Sequence, residues 1–360
     1  VATASVVGYL SYRSGQKAVE QLAEQVLQDT SDRLVQTLNT YLQFAHQTNQ
    51  ANIAALRSGA IRLDNLDQLH RFLILQHQQD QNLTSRLFGT PQGHFRLIHR
   101  VGKDEFQTGY TYLQPGELPY EVGIATPANP GQVQIYSTDA NGQIGRQLET
   151  TTNVDVRQRP WYQQAVLSGR PGWTQPFQIG ASNQLTLSAY APVYDAKHQL
   201  QGVFATNISL NRLSHFLQRL ALGATGQVFI VERNGWLIAN SIGEPPYRPA
   251  VPAYSGKVTT SGQGNFKRLT LGASANPLTR AIGQALQTSH LFEGGSRSKT
   301  APTNTLQHFD YNGDRYFLWL TPYQEAYGLD WSIVTVVPAS QFLQEIQTNA
   351  QRTLWLCSLT

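Results

Sequence analysis

The N-terminal part of the chain carries one long helical pattern, which constrains the fold more than any other feature of the sequence. Apolar residues recur at three- and four-residue spacing from Ser14 to Leu56, Gly15 is the only glycine in that run, and no proline precedes Pro91. The pattern predicts one helix, unless it breaks near Thr30–Asp32. Such a helix extends about 60 Å, so the remaining residues are expected to pack along it.

The size and composition favour two globular domains. The chain has 360 residues, 40% of them hydrophobic, whereas one domain typically has about 100–200 residues. Only 14% are charged, the net charge is +4, and the basic residues form no run or stripe; nucleic acid is therefore not an expected partner. Cys357 is the single cysteine, so no disulfide can form within the chain.

Both ends of the sequence resemble the borders of membrane-spanning helices. Residues 1–10 are apolar or small and are followed by Ser-Tyr-Arg13, and residues 353–360 are again mostly apolar. We expect 1–12 to be the end of one transmembrane segment and 339–360 a helix leading into a second. The domain between them would be anchored in the cytoplasmic (inner) membrane and face the periplasm or the extracellular side. The alternative is that these are the apolar ends of two amphipathic helices.

The rest of the sequence alternates between strand and helix patterns. Short alternating or continuously apolar runs predict strands, and Asn141-Gly142, Asn234-Gly235 and Asn312-Gly313 are typical of turns between them. The predicted strands are 95–101, 133–137, 183–193, 200–208, 227–232, 236–240, 309–321 and 331–337, and the predicted helices are 66–76, 161–168, 210–222, 276–289 and a segment from 339. The pattern predicts the α+β fold class, with a long N-terminal helix laid against one antiparallel sheet, a second antiparallel sheet after it, and shorter helices between the strands.

The first residues of the segment 155–210 have the composition of a ligand pocket. Arg159, Trp161 and Tyr162 place a rigid fork of hydrogen-bond donors, suited to a carboxylate, beside two aromatic faces. The alternative interpretation is structural: Pro160 begins a helix, and the two aromatic rings pack into its base.

Three further side chains are candidates for the same pocket. Tyr136 and Tyr190 lie on predicted strands, where aromatic rings usually pack in the core, and at least one is expected to face the ligand. Asp155 can pair with Arg157 or with Arg159. Pairing with Arg159 would make a ligand carboxylate compete with Asp155 for the guanidinium.

Five features occur in the order found in a known family. They are the long helix followed by a sheet, Arg159-Pro-Trp-Tyr162, Gly202-Val-Phe-Ala-Thr-Asn-Ile-Ser-Leu210, Gly223-Ala-Thr-Gly226 and Asn234-Gly235. Over residues 16–347 the chain resembles the double Cache (dCache) extracytoplasmic sensor domains of bacterial transmembrane receptors of cyanobacterial type, such as histidine kinases, cyclases and chemoreceptors. The resemblance implies a helix over 13–60 and two stacked PAS-like modules, each an antiparallel sheet flanked by helices. The membrane-distal module, 61–210, would hold the ligand, and the membrane-proximal module is 211–338.

The resemblance also implies roles for single residues. In amino-acid-binding members of the family, an Arg and a Trp of this motif hold the ligand carboxylate, and the next aromatic residue lines the pocket. At the matching positions this chain has Arg159, Trp161 and Tyr162.

Three positions depart from the family pattern. Asn207 occupies the position of an Asp that holds the ligand ammonium, and Val154 and Phe177 occupy positions where tyrosines are expected. A charge-assisted hydrogen bond contributes about 1.5–3 kcal/mol, against about 1 kcal/mol for a neutral one. The departures therefore favour a small carboxylate-bearing ligand without an ammonium group, so that an organic acid is expected at least as much as an amino acid.

Catalytic, metal and cofactor chemistry have no convincing motif in the sequence. The nine histidines form no metal-binding spacing, and neither a nucleophile elbow nor a phosphate loop is present. Asp310-Tyr-Asn312-Gly-Asp314 lacks the later Glu of a calcium loop and is better explained as a hairpin turn. We expect a sensor domain without cofactor or enzyme activity, homodimeric in the full-length receptor. The competing class is a surface-anchored interaction module that recognises a partner protein or an envelope glycan through the Pro-rich face near 243–253.

Overall fold

A computed structural model gives the fold of most of the chain. It describes residues 2–80, 83–100, 120–139, 141–178, 185–220, 226–249, 266–288, 304 and 306–342, without the side chains of 2–13, 15–16, 249 and 288. Across these ranges, no helix combines the length and the apolar character needed to cross a membrane. The predicted membrane-directed segment beyond 342, most of the Gly223–Gly226 motif and residues 250–253 of the Pro-rich face lie outside the described residues.

The N-terminal helix is continuous: α1 spans Ala2–Arg57, 56 residues with a length of about 84 Å. The break considered near Thr30–Asp32 does not occur. Ser31 is only 1% exposed, so a polar residue at this point lies on the packed side of the helix without interrupting it.

Two antiparallel sheets follow α1, one with 9 strands and one with 5. The other helices are α2 (Leu66–Gln78), α3 (Pro160–Ser168), α4 (Leu210–Arg219) and α5 (Pro277–Thr288). The first sheet contains β1 (Ser85–Gly89), β2 (Phe95–Arg100), β3 (Tyr120–Ala125), β4 (Gln132–Thr138), β5 (Ile144–Thr152), β6 (Gly172–Trp173), β7 (Phe177–Gln178), β8 (Leu185–Tyr194) and β9 (Leu200–Ser209). The second contains β10 (Gln227–Glu232), β11 (Leu237–Asn240), β14 (Leu306–Tyr311), β15 (Asp314–Gln324) and β16 (Asp330–Pro338), and β12 (Tyr247–Pro249) pairs separately with β13 (Phe266–Arg268). The predicted α+β class is confirmed.

The first sheet has the strand order β5-β4-β3-β2-β1-β9-β8-β6, and β7 pairs with β8. Its central strands are buried on both faces because side chains alternate between two separate cores. On β1, for example, Phe88 belongs to the core formed with α1 and α2, whereas Leu87 belongs to the core under α3. We call these the α1 face and the α3 face of the first sheet.

The second sheet has the order β11-β10-β16-β15-β14. Phe317 and Val337 pack with α1, whereas Leu318 and Val336 pack with α5 on the opposite face. The hairpin turn predicted at Asn312-Gly313 is confirmed, because both residues have positive φ values, 52° and 85°, as a two-residue turn between right-twisted strands requires.

A shared core joins the two sheets. It contains Leu38 and Leu42 of α1, Leu187 of the first sheet and Ile333 of the second. A direct hydrogen bond also links them: Trp173 Nε1 donates to Glu325 Oε2 at 3.1 Å. The modules therefore contact each other as well as the helix.

Candidate functional site

A cavity of about 100 Å³ lies on the α3 face of the first sheet, between the strands and the segment that leads into α3. We call it the Arg159 cavity. Its lining residues are Leu87, Phe95, Leu97, Val133, Ile135, Thr151, Val154, Val156, Arg159, Trp161, Phe177 and Asn207. All are apolar except Thr151, Arg159 and Asn207, so the cavity has apolar walls and few polar groups.

The direction of the Arg159 side chain is fixed by the residues next to it in the sequence. It ends a one-turn 3₁₀ helix at 156–158 and precedes Pro160, the first residue of α3. A following proline disfavours helical backbone, and Arg159 is accordingly extended, with φ −74° and ψ 145°. The chain therefore changes direction at Arg159, and its side chain points into the cavity while α3 begins beside it. The structural interpretation of Pro160 as a helix start is correct and is compatible with a pocket.

The guanidinium of Arg159 is held inside the protein. Nη2 donates to the carbonyl oxygen of Gln178 at 2.7 Å, and Cζ lies 5.7 Å from the centroid of the Phe177 ring. Only 7% of the residue is exposed. Burial lowers the pKa of Arg159 to about 10, so the side chain keeps its positive charge at neutral pH.

Aromatic rings form one wall of the cavity. Trp161 is 1% exposed, and its ring centroid lies 6.2 Å from that of Phe95 and 5.6 Å from that of Tyr162. A Cβ on Gly89 would lie 2.9 Å from the Trp161 ring, so the absence of a side chain there lets the indole approach β1. Tyr162 packs against Trp161 in the same core and does not line the cavity.

Asn207 supplies a polar group to the same cavity. It is fully buried on β9, directly opposite Ser85 of β1 and Ser188 of β8. Asn207 Nδ2 donates to Ser85 Oγ at 2.8 Å, and Ser188 Oγ donates to Asn207 Oδ1. The amide is thus fixed in orientation, with one N–H and one oxygen lone pair left for further hydrogen bonds.

The structure places the remaining predicted residues elsewhere. Tyr136 lies on the α1 face, because Ile135, its neighbour on β4, points into the Arg159 cavity and successive side chains alternate. Its hydroxyl donates to Gln134 Oε1 at 2.9 Å. Tyr190 is on the α3 face but packs over Gly172, where a Cβ would be 2.5 Å from its hydroxyl, and it does not line the cavity.

Asp155 is engaged with Arg157. Its two carboxylate oxygens accept hydrogen bonds from Arg157 Nε at 3.0 Å and Arg157 Nη2 at 2.9 Å. The hydrogen bond from Arg157 lowers the pKa of Asp155 more than any other contact. Of the two pairings considered from the sequence, the structure forms the one with Arg157.

The structure therefore brings four of the predicted residues together, and sequence reasoning missed most of the apolar wall. Arg159, Trp161, Phe177 and Asn207 line the cavity, as does Val154. Leu97 and Ile135 were within predicted strands, and alternation from either end of those strands would have identified them. Thr151 had no such signal, because its strand was not predicted.

The arrangement suits a small ligand with one acidic group and an apolar body. A buried guanidinium can bind a carboxylate through two parallel hydrogen bonds, and the surrounding rings and aliphatic side chains exclude water. Among the described residues no group of three or more histidine, cysteine or acidic side chains is placed to hold a metal ion.

Comparison with known proteins gives a family match over nearly the whole chain. The family model described as Cache domain (dCache_1) matches residues 12–346. The methyl-accepting chemotaxis protein McpA of Pseudomonas putida is 30% identical over 108 residues, which is 29% of this chain and 17% of McpA. McpB of Bacillus subtilis is 26% identical over 115 residues, 31% of this chain and 17% of McpB. These matches span about a sixth of the length of those relatives.

Solved structures are similar at lower identity. Methyl-accepting chemotaxis protein X has 15% identity and a TM-score of 0.49, with 89% of this chain and 99% of that chain covered. The ligand-binding domain of Pseudomonas fluorescens chemoreceptor CtaA, in complex with L-isoleucine, has 14% identity and a TM-score of 0.47, with coverage of 93% and 98%.

Proposed function

The chain belongs to the Cache domain family, and we propose that it is the extracytoplasmic sensor domain of a transmembrane receptor, with a small carboxylate-bearing ligand bound in the Arg159 cavity. The observation that carries this proposal is a permanent cation buried in an apolar cavity. Taking a charge out of water is costly unless a counter-charge or strong hydrogen bonds compensate it. A ligand carboxylate would contribute to that compensation through charge-assisted hydrogen bonds from the guanidinium.

Different lining residues would contact different parts of the ligand. Arg159 would bind the carboxylate, with Trp161 and Phe177 as the rings beside it and Asn207 as a neutral polar contact. Val154 and Phe177 offer no hydroxyl, and both functional atoms of Asn207 already contact serines. The cavity therefore favours a carboxylate without an α-ammonium group, such as an organic acid, over the corresponding amino acid.

Signalling would follow from movement of the first sheet relative to α1. A ligand that closes the cavity would shift the sheet on which α1 packs, and the displacement would reach the second sheet through the shared core. To move a receptor from 1:99 to 99:1 the ligand must favour one arrangement by about 5.5 kcal/mol. The sensor itself would carry out no catalysis; a kinase, cyclase or chemotaxis output would belong to the rest of the receptor, as would anchoring in the inner membrane. Dimerisation along α1 is part of the same proposal.

Calorimetry on the purified domain tests the proposal. The matched ligands are 4-methylpentanoate and L-leucine, which share an aliphatic body and a carboxylate and differ by the α-ammonium group. We expect the organic acid to bind at least as tightly as the amino acid, and Arg159→Met, which keeps the apolar stem of the side chain, to weaken it about 100-fold. Tighter binding of the amino acid would contradict the choice of ligand class.

The competing function, an interaction module, predicts a different result. In that case no organic acid or amino acid in a thermal-shift screen raises the melting temperature, and Arg159→Met has no effect on any of them. Stabilisation by a ligand grows as RT ln(1 + [L]/Kd), so a concentration series would distinguish specific binding from a general effect of the added salt.

A further inference from the structure

A second cavity, of about 160 Å³, lies beside the second sheet. It is bounded by the end of the β10–β11 hairpin, by the turn at 270–272 and by one side of α5. Trp236 of the hairpin pairs with Thr270, and the Leu237 backbone N–H donates to the Leu269 carbonyl oxygen at 2.7 Å. Hairpin and turn are therefore held together by their backbones. We call the space between them and α5 the α5 cavity.

The floor of the α5 cavity is aliphatic. Val231 of β10, Leu271 of the turn and Leu286 of α5 line it, and each is at most 4% exposed. All three belong to the core between α5 and the second sheet. A ligand that covers this floor would be stabilised mainly by the removal of apolar surface from water.

Backbone contacts keep the cavity open. At Gly283 of α5 a Cβ would lie 2.4 Å from the backbone nitrogen of Gly272, so helix and turn already touch there and cannot approach further. A Cβ on Gly272 itself would have only Gln287 Nε2 within 4 Å, at 3.9 Å, and a Cβ on Gly235 would have no neighbour within that distance. The space is thus formed before any ligand binds, and two glycines on its lining leave it unfilled.

Neutral polar side chains form the rim of the cavity: Asn234, Thr270 and Gln287. Asn234 Oδ1 accepts a hydrogen bond from the Trp236 backbone N–H at 3.2 Å, which fixes the carboxamide and directs its Nδ2 hydrogens to other acceptors. Carboxamide and hydroxyl groups both donate and accept hydrogen bonds. The rim can therefore bind a hydroxyl or an amide group of a ligand in either sense.

Charge and size define the class of ligand. None of the described residues that line the α5 cavity is ionisable, and Glu232 and Arg268, which are next in sequence to lining residues or to the turn, form an ion pair with each other at 2.7 Å. A charged ligand would lose its hydration without gaining a counter-charge. A cavity of about 150 Å³ accommodates a molecule the size of benzene.

We propose that the α5 cavity is a second ligand site, which takes an uncharged molecule of about six to eight non-hydrogen atoms. Its aliphatic or ring-shaped body would lie on the floor formed by Val231, Leu271 and Leu286, and a hydroxyl or amide group would bind at the rim. The protein would then have a site for an acid in the first module and a site for a neutral molecule in the second. This site does not depend on Arg159.

Methyl NMR on the purified protein tests the proposal. The neutral probes are cyclohexanol and 2-piperidone, and cyclohexanecarboxylate and cyclohexylammonium are the charged counterparts. We expect at least one neutral probe to shift the methyl signals of Val231, Leu271 and Leu286 saturably, and both ions to bind at least about 10-fold more weakly because burial of an unpaired charge is costly. The methyl signals of Leu27, in the core that α1 forms with the second sheet, should not move.

Two variants locate the bound probe. Gly272 has no positive φ, so Gly272→Leu can place its side chain in the cavity, and we expect binding of the neutral probe to be lost. Thr270→Val keeps the side-chain volume and removes the hydroxyl, and the affinity should fall about fivefold. Thr40→Val, the same change at an exposed position of α1, should leave the affinity unchanged.

The possible results separate this proposal from that for Arg159. If neither neutral probe shifts the three methyl signals, or if the affinity is unchanged in both Gly272→Leu and Thr270→Val, the second site is rejected. If either ion binds at these methyl groups as tightly as cyclohexanol, the assignment of an uncharged ligand is rejected. None of these results depends on whether 4-methylpentanoate binds in the Arg159 cavity, whose Leu87 methyl signals report on that site alone.

Discussion

Each of the two sheets has α1 on one face and a second segment on the other face, and a cavity lies between that second segment and the sheet. The two cavities differ in charge. In the first sheet, the segment before α3 covers the face opposite α1 and leaves a cavity with Arg159 inside it. In the second, α5 covers the corresponding face. The space beside α5, about 160 Å³, is lined by apolar, glycine and neutral polar residues, among them Asn234, Thr270 and Gln287. Only the first space offers a fixed charge to a ligand.

The difference shows that the covering segment determines where the space beneath it is closely packed and whether its cavity is charged. At Gly283 of α5, a Cβ would lie 2.4 Å from the backbone nitrogen of Gly272, so helix and turn approach until their backbones touch. At the start of α3, Pro160 keeps Arg159 extended and directs a long polar side chain under the cover. Close packing results in the one case and a charged cavity in the other.

The largest expected effect is a difference between the two sheets in how much stability each loses when the pH is lowered. His70, His77 and His99 are buried in or under the first sheet and His46 at the junction, whereas His215 and His308 are exposed. Burial is the largest cause that lowers the pKa of each of the four, to about 4 for His70 and about 3 for His46 and His99. Their stabilising effect is complete above the unfolded-state pKa near 6.5 and is lost as pH falls towards the folded-state values.

We therefore expect the free energy of unfolding to fall by about 1 kcal/mol per buried histidine between pH 7 and pH 5.5. Hydrogen exchange at the two pH values checks this, with greater loss of protection in α2 and β2 than in β15 and β16. Glu121 acts in the opposite direction: because its folded-state pKa is raised, its contribution decreases as pH rises through about 7. Equal loss of protection in both sheets would contradict the contrast.

Truncation of the cores should give the next largest effect. Ile282 of α5 is fully buried in the second sheet's core, and Ile282→Ala is expected to lower the free energy of unfolding by about 3–4 kcal/mol. Leu87→Ala should cost less, about 2 kcal/mol, because Leu87 already borders the cavity and loses fewer packing contacts. Urea unfolding measures both. Ligand affinity should change only in Leu87→Ala; loss of affinity in Ile282→Ala would show that the second core also shapes the site.

A matched pair of glycine substitutions gives a smaller effect. Gly283→Ala places a methyl group against the backbone of Leu271 and Gly272, which cannot move aside, and we expect a net loss of about 2 kcal/mol even though Ala favours a helix. Gly89→Ala meets the side chain of Trp161, which can shift, so a loss of about 1 kcal/mol is expected. Near-ultraviolet circular dichroism should change in Gly89→Ala. An unchanged indole signal together with unchanged ligand affinity would contradict the role of Gly89 in seating Trp161.

The last effect, similar in size to that of Gly89→Ala for Trp173→Phe and smaller for Glu325→Gln, concerns the hydrogen bond between the two sheets. Trp173→Phe removes the hydrogen bond to Glu325 and keeps most of the ring volume, and we expect a loss of about 1 kcal/mol because a buried carboxylate oxygen loses one of its two hydrogen-bond donors. Glu325→Gln keeps an acceptor for both Trp173 Nε1 and the Tyr327 backbone N–H, so its effect should be smaller. Thermal unfolding measures both variants, and a larger loss in Glu325→Gln would mean that the charge, and not the hydrogen bond, stabilises the contact.

Much of the fold follows from periodicity in the sequence, because α1, β8 and β9 are long enough to display it. The strands that the sequence did not reveal are β1, β3, β5 and the short β6, β7, β12 and β13. Strand β1 carries a charge, Arg86, that becomes acceptable only when Asp80 lies 3.4 Å away in the folded protein. Strand β5 is at the sheet edge and mostly exposed, so no apolar alternation marks it.

The position of a site residue was predictable where adjacent residues fix the direction of its side chain. It was less predictable where packing between distant parts of the chain fixes that direction. Arg159 and Trp161 are placed by Pro160 and the start of α3, which are features of adjacent residues. The face of Tyr136 depends on strand register, and the packing of Tyr190 depends on Gly172, a residue on a different strand. The extent of the cavity towards β5 depends on a strand that the pattern did not indicate.

Because α1 is continuous, it fixes the angle about its axis between the surface that packs on the first sheet and the surface that packs on the second. Leu27 of this helix packs on the second sheet, and Asn49 donates a hydrogen bond to the Ala189 carbonyl oxygen of the first at 2.8 Å. Each added residue would turn one of these contact regions relative to the other by about 100°. A single insertion between them would therefore misalign the two packing faces, whereas an insertion of seven residues would leave them within about 20° of their present angle. The helix thus carries a rotational register that both modules must share, in addition to the length that separates them.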